Sequence, residues 1–133
     1  PAAPWANSVK GVLAQLRQRG CALGGFNAPI DVTIPLGAGV SSSAALEVAS
    51  ALVVRKLYPY TLDPEAAQTS AQANAAGETA AMDTAEKLRL AKLCQAAENQ
   101  YVGVQCGLLD QISSLFGRAE HAIMIDCRDL TLD

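Results

Sequence analysis

Residues 35–49, PLGAGVSSSAALEVA, are the stretch whose reading decides the fold. Two glycines, Gly37 and Gly39, lead through Val40 into Ser41, Ser42 and Ser43, and an alanine-rich apolar run follows at once. One serine is enough to cap a helix, so three in a row raise a choice between two readings. In the first, Ser41 or Ser42 caps the helix and nothing else binds. In the second, the loop cradles an anion. The first N–H groups of a helix have no internal partners and carry the positive end of its dipole. Glycines let the backbone approach a phosphate closely, and hydroxyls add donors or a metal-ligand oxygen. The loop is neither a Walker P-loop, lacking the terminal Gly-Lys-Ser/Thr, nor a Gly-x-Gly-x-x-Gly turn, because Ser42 stands at the third glycine position.

Upstream of the loop, Phe26, Ala28, Ile30, Val32 and Ile34 alternate with polar or turn residues. This period of two predicts a half-buried strand, with Pro29 marking an edge or bulge and Pro35 closing it. Before that, Trp5, Val9, Val12, Leu13 and Leu16 fall at helical spacing and predict a helix over 5–19 that stops at Gly20. Downstream, the spacing predicts a helix over 42–57, whose Ala44, Ala45, Ala49 and Ala51 permit close packing. Asp63 and Pro64 read as the cap and first position of another helix. Residues 66–85 are rich in alanine, contain Gly77 and carry only a weak apolar stripe. Further helices are expected over 84–100 and 109–116, the second ending at Gly117, and HAIMIDC (121–127) reads as a strand. Strands interleaved with helices predict an α/β or α+β domain. No internal repeat is visible.

The composition narrows the classes. A chain of 133 residues, half hydrophobic and 17% charged, has the makings of one globular domain. Its net charge of −3 argues against nucleic acid or an anionic membrane surface as partner. No apolar run reaches membrane-spanning length. Cys21, Cys94, Cys106 and Cys127 form no C-x-x-C pair, which suits reduced thiols in a cytoplasmic protein. His121 is the only histidine, so a multi-histidine metal site has little to build on.

A second stretch, CQAAENQYVGVQCGLLDQISSLFG (94–117), places Glu98 and Asp110 in apolar surroundings on either side of a link containing Gly103 and Gly107. A buried carboxylate is costly unless it meets a metal, a cation or several donors. Two carboxylates beside a phosphate loop suggest a magnesium-nucleotide site. The plainer alternatives put Glu98 on a solvated helix face beside Asn99 and make Asp110 the cap of the short helix.

PLGAGVSSSAALEVA resembles the phosphate-binding signature of the galactokinase, homoserine kinase, mevalonate kinase and phosphomevalonate kinase superfamily. AENQYVGVQCGLLDQISSLFG, followed by HAIMIDCRDL, is similar to the galactokinase family within it. The two matching blocks, 35–58 and 92–130, cover just under half of the chain, in the family's order. The resemblance implies an α+β, two-layer fold: the N-terminal, ATP-binding lobe of a galactokinase-type small-molecule kinase, incomplete here. It implies that Gly37, Ala38, Gly39, Val40, Ser41, Ser42 and Ser43 wrap the phosphates of ATP. It also implies that Ser43 and Glu98 hold Mg²⁺, that Gly107 contacts the sugar, and that Asp110 orients or deprotonates the C1 hydroxyl of galactose.

The family's sugar-recognition cluster and its C-terminal domain have no counterpart in residues 1–133. With Pro1 in place of a methionine, the chain reads as an internal piece that is inactive alone. Residues 66–85 read as an insertion, and LLD stands where the family commonly has IMD. The expected activity is transfer of phosphate from ATP to galactose in a monomeric cytoplasmic enzyme. The alternatives are a kinase for N-acetylgalactosamine or arabinose, and a non-catalytic galactose/ATP sensor; the intact Ser41-Ser42-Ser43-Ala44-Ala45 favours an enzyme.

Overall fold

In the computed structural model, residues 4–35, 37–63 and 82–133 are described. They form four α-helices and one short hairpin: α1 Ala6–Gln18, α2 Ser42–Leu57, α3 Thr84–Ala97, a π-helical turn Glu98–Val102, α4 Leu109–Phe116, β1 Ile125–Asp126 and β2 Thr131–Leu132. The chain is thus a mixed α+β piece in which helices carry the core. The helix expected to start at Asp63-Pro64, and the alanine-rich stretch up to residue 81, lie outside the described residues.

Helix α1 closes as its sequence predicts. Gly20 takes a φ of +82°, its N–H donates to the Arg17 carbonyl at 2.9 Å, and the Cys21 N–H donates to the Leu16 carbonyl at 3.1 Å. This is the Schellman closure, which favours glycine because a side chain strains that φ. Val12 and Leu16 of α1 meet Val48, Ala51 and Val54 of α2 and Leu90, Leu93, Cys94 and Ala97 of α3 in one apolar cluster. Small residues set the closest approach. A Cβ at Gly11 would lie 3.1 Å from the Cβ atoms of both Ala97 and Tyr101. Gly11→Val is therefore expected to force α1 away from α3 and to cost about 1–3 kcal/mol, the usual range for overpacking, as read from the urea midpoint.

Helix α3 begins at Asp83, whose Oδ1 accepts the Glu86 N–H at 2.7 Å. Glu86 does not reach back to complete a capping box. Its carboxylate instead takes two bonds from Arg55 of α2, at 2.5 and 3.1 Å, and one from the Leu62 N–H at 3.3 Å. Arg55 also lies over the Tyr60 ring, 5.7 Å from its centroid, and the Tyr60 hydroxyl donates to the Ala51 carbonyl at 2.9 Å. This polar group ties the end of α2 to the start of α3.

The helix expected over 84–100 changes character at Glu98. The last turn is π-helical and closes on Gly103, at a φ of +89°, whose N–H donates to the Glu98 carbonyl. Single π turns of this kind are often found at functional sites.

Two expected strands are corrected. Residues 26–34 form no strand, and of 121–127 only Ile125–Asp126 does, pairing antiparallel with Thr131–Leu132 in the register Ile125↔Leu132. A strand exists only where a neighbour takes its N–H and C=O groups, and no described residue pairs with 26–34. The alternating residues lie over α2 instead. Phe26, Ile30, Val32 and Ile34 line a groove of about 320 Å³ against Ala45, Leu46 and Val53.

Candidate active site

The loop before α2 has a backbone suited to an anion. Gly37, Gly39 and Ser41 have φ values of +71°, +74° and +56°, while Ala38 and Val40 between them do not enter the positive-φ region. Alternation of hand along a loop turns successive N–H groups to one side, the arrangement called a nest. A left-handed serine costs roughly 1–2 kcal/mol relative to the ordinary hand, so Ser41 holds a strained position. Ser41 occupies the N-cap position of α2, but its hydroxyl makes no capping bond. The capping alternative is thereby overturned for Ser41. Helix geometry leaves the N–H groups of Ser42, Ser43 and Ala44 without intrahelical partners, and the first closed bond runs from the Ala45 N–H to the Ser41 carbonyl at 3.1 Å. The Ser43 residue is exposed at this open end, as are Gly37, Ala38, Gly39 and Val40.

Glu98 is not on a solvated face. It continues the buried stripe of Leu90 and Cys94 at four-residue spacing and is only 6% exposed, with its Oε2 lacking any partner. Asp110 does not cap α4 either: Leu108 holds that position and makes no side-chain bond. Asp110 sits half-buried in the first turn, where the helix dipole favours a negative charge. Gly107 is exposed in the link before α4, where a Cβ would meet nothing within 4 Å.

That link is held from α3 and the π turn. Gln95 Nε2 donates to the Cys106 carbonyl at 2.9 Å, and the Cys106 N–H donates to Asn99 Oδ1 at 2.9 Å. The two bonds fix the path that delivers Asp110 to α4.

Two residues of the site escaped the sequence reading. Glu47 of α2 and Gln111 of α4 are 0% and 1% exposed. Burial first, and then the neighbouring Glu98, push the Glu47 carboxyl up to about 9; Gln111 and Ser8 pull it the other way. Neither Glu47 oxygen has a hydrogen bond of good geometry, and Gln111 Oε1 also lacks a partner. Burial raises the Cys106 thiol too, against a lowering by Gln111, and the fields of Glu98, Glu47 and Asp110 add to the rise. The Glu47 and Glu98 carboxyls, from α2 and the π turn, are thus neighbours in the buried interior. The available signal for Glu47 was a carboxylate set between Leu46 and Val48 in an otherwise apolar helix. Among the described residues, no three His, Cys, Asp or Glu side chains converge as a metal-binding group.

The glycine-serine loop, with positive φ at Gly37, Gly39 and Ser41, opens onto the start of α2, and Glu47 and Glu98 are buried carboxyls of the helical core. The chain belongs to the GHMP kinase family, matching the GHMP kinases N terminal domain over residues 7–86. It is 46% identical over 127 residues to a galactokinase from Roseiflexus sp. (strain RS-1). That likeness covers 96% of this chain and 27% of the relative, so the chain spans about a quarter of the relative's length. No helix among the described residues is long and apolar enough to cross a membrane.

Proposed function

We propose that the protein containing this chain is a galactokinase, which transfers the γ-phosphoryl group of ATP to the C1 hydroxyl of galactose to give galactose 1-phosphate and ADP. The observation that carries the phosphoryl-transfer reading is the uncapped loop at the start of α2, with positive φ at Gly37, Gly39 and Ser41, together with a buried Glu98 whose Oε2 has no hydrogen-bond partner. The choice of galactose rests on the likeness to a galactokinase. Phosphoryl transfer asks mainly for alignment and charge stabilisation. The N–H groups of residues 37–44 would receive the phosphate oxygens. Ser43 Oγ and the Glu98 carboxylate, both hard oxygen donors, would hold Mg²⁺, which when bound neutralises charge on the β- and γ-phosphates. Asp110 would accept a hydrogen bond from the C1 hydroxyl and take its proton as the new P–O bond forms.

The fragment by itself would lack the sugar pocket, and catalysis would need the complete protein.

The test is ADP release by the complete protein with galactose, N-acetylgalactosamine and arabinose in parallel. Galactose-dependent release is expected to exceed the other two. Release with another sugar alone would reassign the substrate, and galactose binding without release would identify a sensor. The cation assignment has its own check. Glu98→Gln and Ser43→Ala should each raise the Mg²⁺ concentration needed for half-maximal rate without weakening galactose affinity. Superimposable Mg²⁺ titrations for wild type and both variants would refute it.

A further inference from the structure

Cys106 is held at every polar atom it has. Its N–H donates to Asn99 Oδ1 of the π turn at 2.9 Å, and its carbonyl accepts from Gln95 Nε2 of α3 at 2.9 Å. Its Sγ accepts from Gln111 Nε2 of α4 at 3.8 Å. Three side chains from three elements thus converge on one residue of the link. Gln95 and Asn99 stand four positions apart, so they share a helix face and reach the two backbone groups of Cys106 together.

Packing does not account for this hold. Gly103, Val104, Gln105 and Gly107 are exposed, and a Cβ added at Gly103 or Gly107 would meet nothing within 4 Å. The backbone does not account for it either, since among the described residues the Cys106 N–H and C=O have no backbone partner. Fixing one residue costs about 1–2 kcal/mol of conformational entropy, and a typical hydrogen bond returns about 1 kcal/mol. An exposed link that buries little apolar surface therefore gains little stability from being kept in one conformation.

What the hold does fix lies directly beyond it. Gly107 follows Cys106, and Asp110 comes next in line, in the first turn of α4. The π turn that carries Asn99 is itself tied to α1. There Gln15 Nε2 donates to Gln100 Oε1 at 3.0 Å, and Arg19 donates to Gln15 Oε1 at 2.6 Å. Cys106 is thereby referred to the helical core, although the residues on either side of it are exposed.

We propose that Asn99 is a positioning residue for the sugar, holding Cys106 so that Gly107 and Asp110 keep one spacing relative to the C1 hydroxyl. The proposal rests on the reading of Gly107 and Asp110 as the sugar contacts. Asn99 acts through the Cys106 N–H and not on the sugar itself. Without its acceptor, that N–H turns to water and the link between Gly103 and α4 loosens. A displacement of about 1 Å in a reacting group can lower a rate ~100-fold.

The experiment uses the complete protein and measures galactose-dependent ADP release, with ADP binding by calorimetry in parallel. The calorimetric stoichiometry counts folded nucleotide sites, so kcat per site is independent of any unfolded fraction. Asn99→Leu, close in size but without an acceptor, is expected to lower kcat per site ~10–100-fold, with ADP affinity within about twofold of wild type. Asn99→Ala should do the same, and keeps the test decisive if the leucine variant does not fold. Asn99→Asp retains an oxygen acceptor at the same reach and should recover kcat to within about threefold of wild type. Wild-type kcat per site in the variants lacking the acceptor would overturn the proposal, leaving the hydrogen bond as a stabilising contact alone. Asn99→Asp as slow as Asn99→Leu would also overturn it, because an acceptor for the Cys106 N–H would then not be what matters. Loss of ADP affinity in step with kcat would overturn it in favour of a general disturbance of the domain. Asp110→Asn in the same assay separates the two levels. Wild-type turnover there refutes the reading of Asp110, and the positioning role falls with it. A slow Asp110→Asn beside a wild-type Asn99→Leu refutes the positioning role alone.

Discussion

Asp110→Asn in the complete protein is expected to lower galactose-dependent turnover by about 10²–10⁴-fold, the range general-base removal usually spans, while ADP affinity stays near wild type. The amide has almost the same shape as the carboxylate, so the first turn of α4 and the link pinned by Gln95 and Asn99 should survive the change. What disappears is the negative charge and the ability to take a proton. In the proposed function the nucleotide is held by the loop before α2, a separate element, which is why the effect should fall on kcat and not on ADP binding. Calorimetry with ADP and a steady-state assay with galactose together check both halves. Turnover equal to wild type would remove Asp110 from the reaction.

The second large effect concerns stability. Arg55 and Glu86 form a bidentate pair whose side chains are 9% and 12% exposed. Removing one partner of such a pair leaves the other charge buried and costs about 3–5 kcal/mol. Arg55→Met is therefore expected to strand the Glu86 carboxylate between α2 and α3 and to lower the urea midpoint sharply. Glu86 would retain only the Leu62 N–H at 3.3 Å. The double variant Arg55→Met/Glu86→Leu should recover most of the loss, because paired apolar replacements carry no desolvation cost. Failure of the double variant to recover would mean that the pair contributes through its links to Tyr60 and Leu62 and not through charge compensation. Measuring both single variants and the double in one denaturation series resolves the coupling.

Exposed ion pairs carry no comparable expectation. Arg128 contacts Asp126 across the tip of the hairpin, and the Arg128 guanidinium holds the Asp126 carboxyl below its usual range. Both groups face solvent, where such pairs contribute little.

Local features were legible in the sequence. The bounds of α2, Ser42–Leu57, and of α4, Leu109–Phe116, coincide with those read from apolar spacing and flanking turn residues. The close of α1 at Gly20 and the glycine-serine loop belong to the same group. Each depends on residues within a few positions of one another, so a short window of sequence contains the cause. The tertiary structure alone decided the rest. Residues 26–34 have the alternation of a strand, but a ladder needs hydrogen bonds from another segment, and spacing within one segment cannot supply them. The cap positions of α2 and α4 went to residues that make no capping bond, leaving the serines and Asp110 free for other partners. Glu47 and Gln111 look in sequence like ordinary polar residues. Only the meeting of α1, α2, the π turn and α4 removes them from water and sets one carboxyl against another, because burial is a property of neighbours distant along the chain.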